Sequence, residues 1–290
     1  MNAGIADGTR AGTIDQAQLP LFRLLLGIQA LAAAVFGLVP LVAPAQFAQL
    51  TGYSGSDEVI YRLAGAATTG YLLSALLAIA WRTRWAEVRI PVVATATFNL
   101  AAVAGCIVSA SAGDEHRVVL LVLAAAGVFS ALSIGWLARD RPGWVQAGSP
   151  IETPFRAIIV LATLSAAVFG IAPLVDPERF ASLFGLVGTD AWIYRMAGAA
   201  CLGYATAGIL EAGAGGYRTI RLQNVAAIAF NATAAVAAWL AVARLSPSGE
   251  AAAGGLLAPV VAGAATFFAV TLTIFALRAE RRSSAGTGGR

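Results

Sequence analysis

Two arginines stand where this chain could do chemistry, and each keeps the same company. Arg62 follows Asp57 by five residues in the run YRLAGAATTGY, and Arg195 follows Asp190 by five in YRMAGAACLGY. A guanidinium ~7 Å inside an apolar helix can snorkel to the interface or turn inward and hold an anion. Arg62 and Arg195 are therefore candidate ligands for an anionic group in two quasi-equivalent pockets, or else internal partners of an acid or of loop carbonyls. Asp57 and Asp190 are expected as helix N-caps, their carboxylates accepting from free backbone N–H groups at the positive end of the helix dipole. Deeper in the same runs come Tyr71 and Tyr204, and antiparallel geometry sets Asn99 and Asn231 at about the same depth on the following helices. These four polar side chains either form Tyr–Asn hydrogen bonds between neighbouring helices, each worth ~0.6–2 kcal/mol, or line a polar cavity near mid-membrane.

Other chemistries lack their parts. The single histidine, His116, lies beside Asp114 and Glu115 in a short loop, where a solvated residue is expected. Metal sites, histidine-dependent triads and bis-histidine haem ligation all need partners that the sequence does not offer. Cys106 and Cys201 form no CxxC and read as small apolar packing residues. Neither a Walker A loop nor a GxGxxG after a strand is present. No Asp, Glu or Lys falls at the centre of a predicted span, which disfavours a proton relay through a buried carboxylate. Together these readings predict no enzyme activity, no metal and no cofactor.

The elements that must carry these residues follow from hydropathy. Of 290 residues 59% are hydrophobic and 12% charged, with a mean hydropathy of +0.77. Soluble domains carry about a quarter charged residues, so this chain needs lipid as its solvent. Apolar stretches near the ~20 residues that cross a ~30 Å hydrocarbon core lie at about 22–42, 60–81, 90–111, 118–138, 155–175, 192–210, 221–243 and 254–277. Such continuous runs predict helices, because barrel strands would alternate polar and apolar residues. The fold class is thus all-α, a multi-pass membrane protein with eight transmembrane helices.

Charge then orients the spans. All nineteen basic residues are Arg, and fourteen fall on one side: Arg10, Arg23, Arg82, Arg84, Arg89, Arg139, Arg141, Arg156, Arg218, Arg221, Arg278, Arg281, Arg282 and Arg290. The other side holds Arg62, Arg117, Arg179, Arg195 and Arg244 with eight acids, among them Glu58, Asp176, Glu178 and Glu250. The positive-inside rule puts both termini in the cytoplasm. A net charge of +4 is then explained by loops facing anionic lipid, without a nucleic-acid partner. The first span and Ala43-Pro44-Ala45 imitate a signal peptide, but the same segment recurs at 155–177, where no signal peptide could act.

That recurrence runs further. Residues 22–71 align with 155–204 without a gap and 27 of the fifty positions are identical, which points to a tandem duplication. Four helices per copy is an even number, so both copies insert alike, and a pseudo-twofold axis along the membrane normal is expected. The predicted organisation is a polar N-terminal segment 1–20, a first four-helix repeat 21–141, a cytoplasmic linker 142–153, a second repeat 154–280 and a disordered tail 281–290. Pro44, Phe47, Leu50 and Gly52, matched by Pro177, Phe180, Leu183 and Gly185, predict a short interfacial helix. Its apolar pair is expected to face one way, as a lid over a cavity or a plug at the bundle end. Ala64–Ala67 with Gly70, and Ala197–Ala200 with Gly203, predict close helix packing.

One four-helix unit, carried by FGLVPLVAPAQFAQLTG with YRLAGAATTGY and their second copies, resembles small bacterial membrane proteins of the DoxX-like and related kind. The resemblance implies a bacterial plasma-membrane protein and lends no catalytic residue; all-Arg usage with abundant Ala and Gly fits a GC-rich bacterial genome. Two functions remain open at this point. The chain is a carrier or binding protein for a small anionic or lipidic molecule held between two pseudo-symmetric halves, or an accessory subunit with a membrane-protein partner and no ligand of its own.

Overall fold

The computed structural model describes residues 15–139, 148–244 and 255–285. Arg10, Arg141, Glu250 and Arg290, most of segment 1–20, the first part of linker 142–153 and the end of the tail lie outside the described residues. Within them the protein is all-α, the one strand-like feature being a bridge between Pro150 and Gly216. Helix α1 (Pro20–Ala33) opens on a proline, whose missing N–H costs nothing there. It runs through a single π turn, Ala34–Leu38, into α2 (Val39–Val42). Pro40 cannot donate to the carbonyl four residues back, and the π turn just before it absorbs that defect.

Helix α3 (Pro44–Thr51) is the predicted interfacial helix; proline starts it, and Gly52 ends it at φ 89°, where a side chain would be strained. Helices α4 (Glu58–Ala80), α5 (Trp85–Ser111) and α6 (Arg117–Ala138) complete the first half. The second half repeats the order with α7 (Thr153–Val175), α8 (Pro177–Leu183), α9 (Ala191–Gly213), α10 (Tyr217–Ala243) and α11 (Leu257–Ala285). Two details differ from expectation. The apolar pairs of the short helices split, since Phe47 and Phe180 are buried while Leu50 and Leu183 are 81% and 67% exposed. Residues three apart lie about 60° apart on a helix, enough for one to enter the core while the other stays at the rim. Helix α11 also continues to Ala285, past the predicted start of the tail at 281.

Among the described residues seven helices are long and apolar enough to cross a membrane: Pro20–Val42, Glu58–Ala80, Trp85–Ser111, Arg117–Ala138, Thr153–Val175, Tyr217–Ala243 and Leu257–Ser283. Ala191–Gly213 has the length, 23 residues, but carries Arg195, Glu211 and two tyrosines. This helix is largely covered by α5, α7 and α4, so protein rather than lipid surrounds it and its composition need not be lipid-like. Leu24, Ile28, Leu31, Leu164 and Val168 instead stand exposed on the outer helices, the apolar exterior of a chain that meets lipid.

Helices α4 and α9 meet at the centre, with α5 packed along α9 and α10 along α4, so the third helix of each half lies against the second helix of the other. Glycines allow this closeness. A Cβ on Gly65 would come within 2.5 Å of the Gly37 carbonyl oxygen, and one on Gly198 within 2.6 Å of the Gly170 carbonyl oxygen.

The bundle has two distinct ends. One gathers α3, α8 and the loops 112–116 and 184–190 through contacts such as His116 with Gly52 and Asp57 with Gly188. At the other, the Asp15 carboxylate accepts from the Trp85 amide at 2.9 Å, and the Tyr217 amide donates to Ser149 at 2.9 Å. Arg23 donates to the Ile79 carbonyl at 3.3 Å, while Arg156 donates to the Ala212 and Ala214 carbonyls at 2.5 and 3.1 Å. These arginines satisfy the last carbonyls of α4 and α9 at the negative ends of their dipoles. Arg218 to Glu87 at 2.5 Å ties the first turns of α10 and α5 together, and Arg221 to Glu280 at 2.7 Å ties α10 to α11.

Candidate functional site

The two aspartates correct the first expectation. Neither Asp57 nor Asp190 caps its own helix; each reaches across to the other half. Asp57 accepts from the Val187 amide at 2.9 Å, the Gly188 amide at 2.6 Å and the Tyr194 hydroxyl at 2.6 Å. Asp190 returns the contact, accepting from the Ser54 amide and hydroxyl, from the Gly55 amide at 2.7 Å and from the Tyr61 hydroxyl at 2.7 Å. Both carboxylates are buried, and a buried charge is retained where several donors replace its water. The preceding loops supply those donors because Gly55 and Gly188 turn with φ of 69° and 74°. Sequence reasoning overlooked Tyr61 and Tyr194, although both precede the arginines in the matched runs.

The arginines are not equivalent. Arg62 pairs with Glu58 one turn back and donates to the Leu41 carbonyl at 2.8 Å, while Arg244 shares the same Glu58 at 3.2 Å. Its charge is spent within the fold, against the predicted anion pocket. Arg195 has Ala191 where Arg62 has Glu58; its guanidinium donates to the Ser109 hydroxyl at 2.8 Å, and its Nε lacks a partner. Neither arginine lines either of the two cavities described below.

At mid-depth the predicted Tyr–Asn bonds are not made. The Tyr71 hydroxyl donates to the Ala200 carbonyl at 2.8 Å, and the Tyr204 hydroxyl to the Ala67 carbonyl at 2.9 Å. Asn99 and Asn231 each donate to a carbonyl one turn back in their own helix, Thr95 and Ala227 at 2.8 Å. A tyrosine is long enough to cross the small residues of the facing helix, whereas an asparagine meets its own backbone first. The Tyr71 and Tyr204 rings lie 4.8 Å apart and fill the centre between the halves, where a ligand site was expected. Each hydroxyl passes over a glycine of the other half, Tyr204 over Gly70 and Tyr71 over Gly203, leaving no room for a Cβ.

Space opens instead to either side. Two cavities of ≈ 140 Å³ lie one mainly in each half, the first closed in part by Trp192, Ile193 and Met196 and the second by Ile60 and Leu63 of the other half, and both are walled mainly by apolar side chains. Phe36, Phe47, Tyr71, Phe98, Asn99 and Phe129 line the first, and Phe169, Phe180, Tyr204, Phe230, Asn231 and Phe268 line the second. Asn99, Asn231 and the two tyrosines thus border cavities as one of the sequence readings held, though two separate ones. Phe47 and Phe180 bring the short helices α3 and α8 onto the cavity walls.

The cavities differ at one end. Where the first has Ala78, Pro91 and Val92, the second has Glu211, Gln223 and Asn224, at 5%, 1% and 1% exposure. Oε1 of Glu211 and every side-chain amide atom of Gln223 and Asn224 lack a hydrogen-bond partner. Sequence reasoning missed all three. Glu211 fell one residue beyond the predicted span 192–210, and the adjacent amides lay inside 221–243; a carboxylate facing two amides across a short turn was the available signal.

His116 lies in the loop before α6 with 39% of its side chain exposed, as expected of a solvated residue, but it is also tied into a cluster. Its Nδ1 lies 2.7 Å from Asp114 and its Nε2 2.9 Å from the Gly52 carbonyl, and the ring stacks on Tyr53 at 4.2 Å. Tyr53 stacks on Trp192 at 5.4 Å and donates to Asp114 at 2.6 Å, so this cluster joins α3, the α5–α6 loop and α9. Burial alone would raise the Asp114 carboxyl, but the Tyr53 hydroxyl and the His116 ring and amide outweigh it and hold it below 3.8. Cys106 and Cys201 are free thiols, and no group of metal-ligating residues occurs among the described residues.

No family model matches this chain, and neither a curated protein nor a solved structure matches it.

Proposed function

We propose that the chain is a binding protein or carrier for small apolar or lipidic molecules, holding one in each of two cavities within a duplicated eight-helix fold. In this reading both termini are cytoplasmic, the end bearing α3 and α8 faces outward, and the membrane is a bacterial plasma membrane. Arginine supports that orientation: of the fourteen assigned to the inner side, the eleven that are described lie at or near the end opposite α3 and α8. Ala191–Gly213 counts as the eighth span, kept from lipid by its neighbours.

The observation that carries the functional reading is the pair of cavities. They occupy corresponding places in the two halves, with aromatic and aliphatic walls and few polar groups, as small-molecule sites have. A purely structural bundle gains nothing from such voids, since unfilled apolar space forfeits packing. The anionic ligand weighed from sequence is not retained, because Arg62 is paired and neither cavity is lined by a basic residue.

Native mass spectrometry of the full chain, released gently from its own membranes, tests this. A reproducible small-molecule mass, lost when Ala33→Phe and Ala166→Phe fill the cavities, supports the reading. A stoichiometric protein partner with no small ligand refutes it and makes the chain an accessory subunit.

A further inference from the structure

Glu211, Gln223 and Asn224 set the second cavity apart. Three polar side chains at one end of an apolar cavity are costly, because each buried unpartnered group keeps its full desolvation penalty. The first cavity shows that the fold does not require them, since Ala78, Pro91 and Val92 close the corresponding end. The cost is recovered when a bound molecule supplies the missing partners.

What that molecule must look like follows from the walls. On α9 the lining extends from Ala197 to Glu211, a rise of ~21 Å at 1.5 Å per residue. A volume of ≈ 140 Å³ spread over that length is a narrow cleft, suited to a single alkyl chain rather than a fused ring system. Its polar end offers a carboxyl group, two amide oxygens and two amide NH₂ groups. Glu211 is the one carboxylic acid among the lining residues, which include no basic side chain, and Arg156 is occupied with the Ala212 and Ala214 carbonyls. An anionic head would place two acids together with no cation between them. A head that donates hydrogen bonds meets the Glu211 and amide oxygens, and any oxygen or nitrogen lone pair on it meets the amide N–H groups.

We propose that the second cavity is a selective site for a single-chain amphiphile whose head donates hydrogen bonds and carries no negative charge, a long-chain amine or alcohol in class. The first cavity, lacking the triad, takes alkyl chains with little regard to the head. This rests on the reading that both cavities bind apolar molecules.

The full chain in nanodiscs is titrated with dodecylamine, 1-dodecanol or dodecanoate, and bound copies are counted by native mass spectrometry. All three probes should fill one site at similar concentrations. The amine and the alcohol should fill a second site at concentrations about ten- to a hundredfold lower than dodecanoate, the scale of one or two hydrogen bonds. In Glu211→Ala/Gln223→Leu/Asn224→Val that preference should fall to within about twofold while two copies still bind. Should this variant not fold, Glu211→Gln alone, which leaves the amides in place, should bring dodecanoate to within about threefold of the amine. Equal binding of dodecanoate by the wild type, or a preference that survives the substitutions, overturns the selective site while leaving the binding reading intact. Failure of every probe to bind at either site overturns the binding reading itself.

Discussion

The crossed aspartates make a sharp claim, because the sequence alone assigns Asp57 a different partner from the one the structure gives it. Replacing Asp57 by Ala removes three hydrogen bonds to a carboxylate, two from loop amides and one from the Tyr194 hydroxyl. Hydrogen bonds to charged groups contribute about 1.5–3 kcal/mol each, but their losses do not add, and the Val187 amide is only partly buried and can rehydrate. A loss of roughly 3–5 kcal/mol is expected, which for a chain of this size is about 10 °C in melting temperature. Thermal unfolding in detergent, followed by retention of the monodisperse species, measures it.

A large loss from Asp57→Ala would not alone prove the crossed contact, since an N-cap also stabilises. The deciding measurement is a double-mutant cycle of Asp57→Ala with Tyr194→Phe. These residues are 137 apart in sequence and joined by a 2.6 Å bond, so a coupling of about 1–2 kcal/mol is expected. Additivity to within about 0.5 kcal/mol would refute the crossed clasp and return Asp57 to its own helix.

The remaining expectations concern other parts of the molecule. Gly70→Ala and Gly203→Ala should each cost about 3 kcal/mol, because a Cβ would collide with a tyrosine hydroxyl and approach the Ala226 or Ala94 carbonyl to 2.5 or 2.6 Å. Adding Tyr204→Phe should rescue Gly70→Ala only in part, as the backbone contact remains; full rescue would show that the hydroxyl alone sets the limit. Arg62→Gln should lower the melting temperature more than Arg195→Gln, since Arg62 is paired to the Glu58 carboxylate whereas the Arg195 guanidinium donates to the Ser109 hydroxyl. The reverse order would mean that Arg195 has the larger structural role. The Asp114 carboxyl is held below 3.8 in the folded state, so its contribution is present above 3.8 and is lost as pH falls through its folded value. Melting temperature should therefore fall as pH drops below about 4, and Asp114→Asn should flatten part of that slope; an unchanged slope would remove Asp114 from the acid response.

Hydropathy placed most helix ends to within about five residues, because lipid-facing segments have little freedom of composition, but it stopped short of the polar last turns of α11, which runs to Ala285. Their ends were legible where proline or glycine fixed them, as at Pro44 and Gly52. The partners of Asp57, Arg62 and Tyr71 were not, for a physical reason. Sequence spacing reports neighbours along one helix, and each of these side chains was assigned to the nearest group that spacing allowed. In the fold α5 lies along α9 and α10 along α4, so the nearest groups in space for Asp57 and Tyr71 come from the other half. Arg62 did find an acid, but it was Glu58 one turn away rather than Asp57. Glu211 was missed because a span centre was searched for charge, and this carboxylate sits near the end of its helix.

Under the proposed duplication, the pattern of likeness between the halves separates two kinds of residue. Positions that remain identical make contacts across the halves or let helices touch: Asp57 with Asp190, Tyr61 with Tyr194, Tyr71 with Tyr204, Gly65 with Gly198 and Gly70 with Gly203. A change in one copy would break a contact made by the other, so reciprocal geometry holds them alike. The aromatic part of the cavity walls also stays alike, as at Phe36 with Phe169 and Phe47 with Phe180, but other wall positions diverge: Thr68 corresponds to Cys201, Gln29 to Ala162, Ala78 to Glu211 and Val92 to Asn224. One chain could then hold its frame fixed while giving each cavity its own chemistry. Exchanging wall residues between the copies should accordingly alter what binds and leave the melting temperature nearly unchanged, whereas exchanging one member of a crossed pair should do the opposite.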